Sequence, residues 1–152
     1  MPAASEPMPV KLPHTFRPLG VRLAIYALGG MLLAVTLVMW FAFPPSIRAE
    51  FTGVQILTFV AIGAGFAAAG YALARSRLVA RDSGLTVVNG YRVRRYEWNE
   101  ILGVTLRRGS PWAVIDLSDG TSIPAMGIQG SDGARATGQV KLLRSLVNRL
   151  TR

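Results

Sequence analysis

The sequence predicts a membrane α-helical hairpin followed by a small α+β domain, in which a curled antiparallel sheet or small barrel is closed by a C-terminal helix. Three observations lead to this fold class. Two long stretches in the first half carry no charged residue, short β-rich runs separated by turn residues fill the second half, and apolar residues recur every three or four positions near the C-terminus. Long uncharged runs are typical of helices in lipid, and the last pattern indicates a helix with one apolar face.

The uncharged stretches cover residues 23–43 and 52–74, which are 21 and 23 residues long. Each can cross a hydrocarbon core of about 30 Å at about 1.5 Å per helical residue. Both should be helical, because lipid offers no partner for unpaired backbone polar groups. The first stretch is longer than the apolar core of about 7–15 residues found in signal peptides, so we expect a retained span.

These stretches divide the chain into five parts. Residues 1–20, with many Pro, Ala and Ser residues near the start, are predicted to be a disordered cytoplasmic tail. The remaining parts are transmembrane helix 1 (21–43), a short external loop (44–53), transmembrane helix 2 (54–74) and a cytoplasmic domain (75–152).

The orientation of the spans follows from their basic flanks, because positive flanks stay in the cytoplasm. Lys11, Arg17 and Arg22 precede the first span, and further arginines follow the second, whereas the loop between the spans is neutral. The sequence thus predicts a multi-pass protein of the cell (plasma) membrane with both the N- and the C-terminus in the cytoplasm.

Small residues recur every fourth position in both spans. Gly30 and Ala34 form such a pair in the first span, and Ala61, Gly65 and Ala69 form a strip in the second. Such strips let two helices approach closely. We expect this strip to pack the two helices together as a hairpin or simply to reflect an Ala-rich composition, and dimerisation is the alternative.

The second half reads as a series of β-hairpins. Runs 85–88 and 91–96 flank Asn89-Gly90, a dipeptide that tolerates the positive φ of a two-residue turn. Runs 101–107 and 112–118 flank a second turn, and Asp119-Gly120 leads into 121–125. With 77–81 as the opening strand, about six strands are predicted.

A helix should follow the strands. Its apolar face is formed by residues spaced three or four apart, and Ser131 or Asp132 is expected to cap its first turn. The residues of this face are Ala136, Val140, Leu143, Val147 and Leu150.

Particular residues of the second half carry a family resemblance. The run 82–90, the arginines of 92–95, Tyr96-Glu97-Trp98, Ile101 and Val104 resemble bacterial pleckstrin-homology (PH)-like domains. Trp112, Asp119-Gly120 and the segment 124–128 fit the same pattern. The arrangement is similar to small actinobacterial membrane proteins that place two spans before such a domain. The resemblance implies a split β-barrel capped by a C-terminal helix, acting as a binding or scaffolding module.

One feature departs from the lipid-binding members of the wider family. Eukaryotic members that hold inositol phosphates use a basic loop between their first two strands. The matching loop here would be residues 82–84, which are short and mildly acidic. The resemblance therefore implies no phosphoinositide site of that kind.

The charge of the chain points to anionic partners. The formal net charge is +9, with 17 Lys and Arg against 8 Asp and Glu. We expect a cluster of arginines to bind anionic lipid or an acidic protein, since each basic residue near an anionic leaflet contributes about 1 kcal/mol. The equal alternative is that they are solvated topology signals, and nucleic acid is disfavoured because the interleaved aromatic residues suit a core. The arginines are Arg75, Arg77, Arg81, Arg92, Arg94, Arg95, Arg107 and Arg108.

The sequence offers no constellation for catalysis. Cysteine is absent, and the one histidine, His14, lies in the predicted tail. The glycines at 127, 130 and 133 precede a helix but lack the Lys-Ser/Thr of a phosphate-binding loop. The carboxylate pairs 116/119 and 97/100 have no His or Cys beside them. We therefore predict no metal, no cofactor and no enzymatic activity.

Two functions follow from these features. The first is a membrane-anchored, non-catalytic PH-like module that engages a protein or anionic lipid at the cytoplasmic face. The alternative is an accessory subunit of a larger membrane complex, in which the transmembrane hairpin makes the key contacts.

Overall fold

The computed structural model describes residues 10–151, and its first half consists of helices. Helix α1 (Gly20–Ala42) and helix α3 (Gly53–Arg75) are joined by the short helix α2 (Pro45–Glu50). Pro45 begins α2, where its missing N–H is no loss. Thr52 and Gln55 form a reciprocal capping box that begins α3.

The second half forms two antiparallel sheets and a closing helix. The first sheet has four strands in the order β1-β2-β3-β4, and the second has three in the order β5-β6-β7. Helix α4 (Ala134–Leu150) follows them. The strands of the first sheet are β1 (His14–Phe16), β2 (Arg77–Arg81), β3 (Gly84–Asn89) and β4 (Arg92–Tyr96). Those of the second are β5 (Ile101–Thr105), β6 (Trp112–Leu117) and β7 (Ser122–Gln129).

The first sheet is closed around the helical hairpin. Strand β1 precedes α1 and β2 follows α3, yet the two pair antiparallel with Phe16 opposite Leu78 and His14 opposite Ala80. The prediction of a disordered tail up to residue 20 is therefore wrong for residues 14–18, because Phe16 and Pro18 are fully buried. Residues 1–9 of that tail lie outside the described part of the chain.

This pairing also corrects the order of the strands. The segment predicted to open the sheet, β2, is its second strand, so the described chain has seven strands where about six were expected. The connection between the first two strands is thus the whole helical hairpin, and Asp82 and Ser83 form the turn between the second and the third. The three predicted hairpins are present, with Gly90 at φ +59° in the Asn-Gly turn.

One continuous core lies between the two sheets and α4. Phe16, Leu78 and Leu85 contribute from the first sheet, and Ile115 and Ile128 from the second. Trp98 is buried beside them, and its indole N–H donates to the carbonyl of Arg81 at 3.0 Å. Because β1 supplies one of the largest buried side chains, the core is incomplete without the segment that precedes the helices.

Helix α4 buries most of the predicted face. Ala136, Val140, Leu143 and Val147 are buried, Leu150 packs at the margin, and Leu146 joins them although it was not predicted. The predicted cap at Ser131 or Asp132 is wrong. Gly133 occupies the N-cap position of α4 without a side-chain hydrogen bond, and the Asp132 carboxylate faces another helix.

Helix α1 touches α3 beside the domain, and at the far end of the hairpin it touches Phe51, which precedes α3. Gly70 of α3 lies against Ile25 of α1, and a Cβ added at Gly70 would lie 3.2 Å from the Ile25 side chain. The ring centres of Trp40 and Phe51 are 5.5 Å apart. The predicted strip does not close this hairpin. A Cβ added at Gly30 or Gly65 would meet no atom of residues 10–151 within 4 Å. The other strip members, Ala34, Ala61 and Ala69, are exposed as well.

Candidate membrane-surface site

Asp132 joins the two-sheet domain to the start of α1. Its carboxylate oxygens accept the backbone N–H groups of Leu19 and Gly20 at 2.9 and 2.8 Å. The first N–H groups of a helix have no partner within the helix, and the positive end of its dipole favours a carboxylate. A side chain 112 residues away along the chain therefore caps the first apolar helix.

Ser76 joins the domain to the end of α3. Its fully buried hydroxyl donates to the carbonyl of Ala72 at 3.0 Å and accepts the N–H of Gly90 at 2.9 Å. The neighbouring Tyr91 hydroxyl donates to the carbonyl of Ala68 at 2.7 Å. The tip of the β3–β4 hairpin is thus fastened to the last two turns of α3.

Asn89 ties the two sheets together at the same end of the domain. Its side-chain amide donates to the carbonyl of Pro124, and its side-chain oxygen accepts the N–H of Met126 at 3.0 Å. The sequence marked Asn89 as a turn residue only. Its amide group also bridges β3 to β7, so the hairpin tip that holds α3 is itself held by the second sheet.

Four arginines meet in a cleft between the helix ends and the domain, which we name the arginine cleft. Arg17 and Arg22 come from the start of the hairpin, and Arg75 and Arg77 from its end. The cleft has a volume of ≈ 170 Å³, and no acidic residue among residues 10–151 lines it. Only Arg75 and Arg77 were predicted site residues. Arg17 and Arg22 had been used for orientation alone, although they precede the first uncharged stretch just as Arg75 and Arg77 follow the second.

Aromatic rings hold one of these arginines in place. The guanidinium carbon of Arg75 lies 5.7 Å from the ring centre of Tyr71 and 5.5 Å from that of Tyr91. Both distances are within the range of cation–π attraction. Tyr26 completes the aromatic lining of the cleft.

The other predicted arginines lie apart from the cleft. Arg92, Arg94 and Arg95 are exposed on β4, the edge strand of the first sheet. Alternate residues of a strand face opposite sides, so Arg95 lies on the other face from Arg92 and Arg94. Arg81 is also exposed and donates to the Thr86 hydroxyl at 3.1 Å.

Arg107 and Arg108 lie in the turn between β5 and β6. They line a shallow cavity of ≈ 540 Å³ together with Ser131 and Thr137. This turn is fixed by the N–H of Gly130, which donates to the carbonyl of Pro111 at 2.9 Å. The single cluster predicted from the sequence is therefore three groups: the cleft, the β4 edge with Arg81, and this turn.

The carboxylates considered for acid–base chemistry have structural partners. Asp116 accepts the hydroxyl of Ser122 at 2.6 Å, and Glu100 accepts the N–H of Glu97 at 2.6 Å. Hydrogen bonds from the side chain and the backbone of Thr121 lower the pKa of Asp119. Within residues 10–151, no three His, Cys, Asp or Glu residues come close enough together to hold a metal ion.

The glycine run before α4 also has a structural explanation. A Cβ at Gly127 would lie 2.7 Å from the backbone nitrogen of Leu78, and one at Gly130 would collide with the carbonyl of Ser110. Gly127 therefore lets β7 pass close to β2, and Gly130 lets the chain pass close to the β5–β6 turn.

Both long helices have the length and composition of membrane spans. Each has 23 residues, and none of the apolar stretch of either helix is buried within the structure. A core helix of a soluble protein would bury such residues. By length, composition and exposure, the two helices can cross a membrane.

Comparison with known proteins gives a family for the second half. Residues 75–144 match the model of the family described as "Bacterial PH domain". Proteins from two strains of Mycobacterium tuberculosis and from Mycobacterium bovis, all named as uncharacterized, are 44% identical over 93 residues. The match covers 59% of this chain and 60% of each relative, so the chain spans about three fifths of the length of these relatives. No solved structure matches.

PH domains are generally non-catalytic binding modules, and no enzyme family is indicated. The matched segment begins at Arg75, the last residue of α3, and contains β2 to β7 and most of α4. The two antiparallel sheets and the C-terminal helix have the arrangement that the sequence predicted from its resemblance. Residues 75–144 of this chain are thus similar to the bacterial PH domain family, and they follow two long apolar helices.

Proposed function

We propose that the chain is a membrane-anchored, non-catalytic binding module whose PH domain lies against the cytoplasmic face of the plasma membrane and engages anionic lipid there. One observation carries the proposal. The helical hairpin is inserted between two paired strands of the domain, β1 and β2. A bilayer that holds the helices therefore also holds the domain at its surface, without an intervening linker.

The dimensions of the helices support their placement in lipid. A helix of 23 residues is about 35 Å long, which exceeds a hydrocarbon core of about 30 Å. Their large apolar side chains are exposed, including Phe41, Val54 and Phe66. Exposed apolar surface on this scale is costly in water and favourable in lipid.

The pairing of β1 with β2 supports a common side for both ends of the hairpin. Residues 14–16 and 77–81 lie in one sheet. Helices α1 and α3 therefore run in opposite directions, and the start of α1 lies beside the end of α3. These ends carry Arg17, Arg22, Arg75 and Arg77, and such positive flanks remain in the cytoplasm. The α2 segment, with one Arg48 and one Glu50, then lies outside.

The surface of the PH domain suits an anionic ligand. From Arg75 to Arg152 the chain has 13 basic and 6 acidic residues. The Tyr91 hydroxyl donates a hydrogen bond to α3, so the tip of the β3–β4 hairpin lies beside that helix. Arg92 and Arg94 follow Tyr91 directly on β4. Each arginine near an anionic leaflet contributes about 1 kcal/mol to its attraction.

The absence of cysteine allows a direct test of topology. Ser46 and Ser118 are both exposed, on α2 and on the β6–β7 turn. Single Ser46→Cys and Ser118→Cys variants should react differently with a membrane-impermeant maleimide applied to intact cells. We expect the Ser46→Cys variant to be labelled in intact cells and the Ser118→Cys variant to be labelled only after lysis. Labelling in the opposite order would overturn the orientation, and a chain extracted by alkaline carbonate would overturn the anchoring.

Lipid engagement is tested by amide hydrogen exchange of the full chain in nanodiscs. Residues 91–96 should exchange more slowly in phosphatidylglycerol than in phosphatidylcholine, whereas the exposed face of α4 should not differ. The variant Arg92→Gln/Arg94→Gln/Arg95→Gln should remove the difference. Equal exchange in both lipids would exclude lipid as the ligand of β4 and leave a protein partner for this surface.

The accessory-subunit function is favoured by a separate observation. The strip of Ala61, Gly65 and Ala69 is exposed, and a Cβ added at Gly65 would meet no atom of the described residues within 4 Å. Such a strip can receive a helix from another chain. Replacing residues 20–75 with an unrelated two-helix hairpin that keeps the terminal arginines should abolish function in a complex subunit but not in a tethered PH domain.

A further inference from the structure

We propose that the arginine cleft binds the phosphate group of one anionic phospholipid, which enters between the start of α1 and the end of α3. The proposal rests on the proposed function, because the helices must lie in a bilayer for a lipid to reach the cleft. It names a site that is separate from the β4 edge. The four guanidinium groups of Arg17, Arg22, Arg75 and Arg77 are the ligands of the phosphate.

The charge of the cleft calls for an anion. Four positive side chains line a space of ≈ 170 Å³, and the described part of the chain places no carboxylate on its walls. Like charges that are close together repel one another unless a counter-charge lies between them. A phosphate supplies this charge and several strong acceptor oxygens, which the planar guanidinium group binds with two parallel hydrogen bonds.

One of the four arginines has an unused donor. The Nε of Arg22 is buried, and no hydrogen-bond partner for it exists among residues 10–151. Buried donors are nearly always paired, since leaving one unpaired costs free energy. Because Arg22 lines the cleft, a phosphate bound there supplies an acceptor for its guanidinium group.

The depth of the cleft matches that of a lipid headgroup. Arg22 lies in the first turn of α1, and Arg75 is the last residue of α3. Tyr26 and Tyr71 lie four residues further into the two helices, about 6 Å deeper at 1.5 Å per residue. Both tyrosines are more than half exposed, as is typical of residues at the membrane–water interface.

This geometry favours a lipid over a free anion. The cleft has charged residues on the side of the domain and tyrosines on the side of the apolar helices. A molecule with a phosphate and an attached acyl chain fits both sides. The volume is roughly ten times what one water molecule requires, so a phosphate and part of a glycerol group have room.

The proposal is tested by native mass spectrometry of the full chain in a mild detergent with added lipid. The probes are phosphatidylglycerol and phosphatidylcholine with the same acyl chains. The wild type should retain one phosphatidylglycerol at least about tenfold more strongly, and Arg22→Gln and Arg77→Gln should each reduce this retention by about tenfold or more, since each removes a charge-assisted contact. The matched controls Arg135→Gln and Arg149→Gln, on the exposed side of α4, should change it less than twofold.

Folding and the source of the phosphate need their own controls. Arg17 is exposed, so Arg17→Gln tests the cleft without disturbing a packed side chain. Retention that is equal for both lipids, or unchanged in all three cleft variants, would overturn the proposal. Displacement of the lipid by millimolar inorganic phosphate would overturn the lipid source and assign the cleft to free anions.

The outcomes separate this proposal from the proposed function. If the cleft variants retain phosphatidylglycerol normally while β4 remains protected in phosphatidylglycerol nanodiscs, the cleft proposal fails and membrane engagement by the domain stands. If carbonate extracts the chain, the proposed function fails first, and binding to the cleft in detergent then describes a soluble anion site.

Discussion

The substitution Phe16→Ala tests whether the segment before the helices belongs to the two-sheet domain. Phe16 is fully buried in the core although it precedes the matched family segment by a whole helical hairpin. Replacing a buried Phe by Ala removes its transfer free energy and leaves a cavity, at a cost of about 3–5 kcal/mol. In a disordered tail the same change would cost nothing.

This cost is large for a domain of this size. With roughly 80 residues at about 0.05–0.15 kcal/mol each, the free energy of unfolding is about 4–12 kcal/mol. Phe16→Ala therefore removes between a quarter and all of it. At a factor of ten for about 1.4 kcal/mol, the amides of β6 should exchange roughly 100-fold to several thousand-fold faster.

The assay is hydrogen exchange of the full chain in detergent, read on peptides that contain Ile115. This residue is fully buried in the second sheet, so its exchange reports opening of the whole domain. The matched control is Thr15→Ala, an exposed position on the same strand, for which we expect a change of about 0.5 kcal/mol or less. Equal protection of Ile115 in the two variants would refute the inclusion of β1 in the core.

Three further predictions concern single contacts. Asp132→Ala should speed exchange of the amides of residues 19–22, because the cap of α1 contributes about 0.5–2 kcal/mol, and no change relative to wild type would contradict the cap. Ser76→Ala should lower the free energy of unfolding, measured by chemical denaturation, by about 1–3 kcal/mol, since it removes the partner of the Gly90 N–H. The exposed Ser118→Ala control should leave this free energy unchanged. The Asp119 carboxyl should titrate below its ordinary pKa of 3.8, because Thr121 bonds to the charged form, and Thr121→Val should raise the midpoint in an NMR titration. Since the folded pKa is the lower one, this contact stabilises the fold above pH 3.8 and the stabilisation disappears as the pH falls through the folded pKa; an unshifted midpoint in both chains would disprove it.

Much of the fold was predictable because its signals are local. Uncharged runs of more than twenty residues specify α1 and α3. The Asn-Gly and Asp-Gly dipeptides specify two hairpins by their tolerance of positive φ, and the spacing of Ala136, Val140 and Leu143 specifies the face of α4. Each of these signals is complete within a short window of sequence.

The site was less predictable because its members are far apart along the chain. The arginines of residues 92–95 stand out in the sequence but lie apart from the cleft. Arg17 and Arg22 looked like topology signals, and only the antiparallel hairpin brings them to Arg75 and Arg77. A search for basic residues just before the first span and just after the second would have found the four together.

The sequence by itself determined that two apolar helices precede a sheet-rich, basic domain with a closing helix, because hydropathy, turn chemistry and helical period act over a few residues. Only the tertiary structure decided that β1 belongs to that domain. A three-residue strand has no period of its own, and its assignment depends on a partner about sixty residues away. The same holds for the cap from Asp132 to α1, because such a contact exists only after the chain has folded.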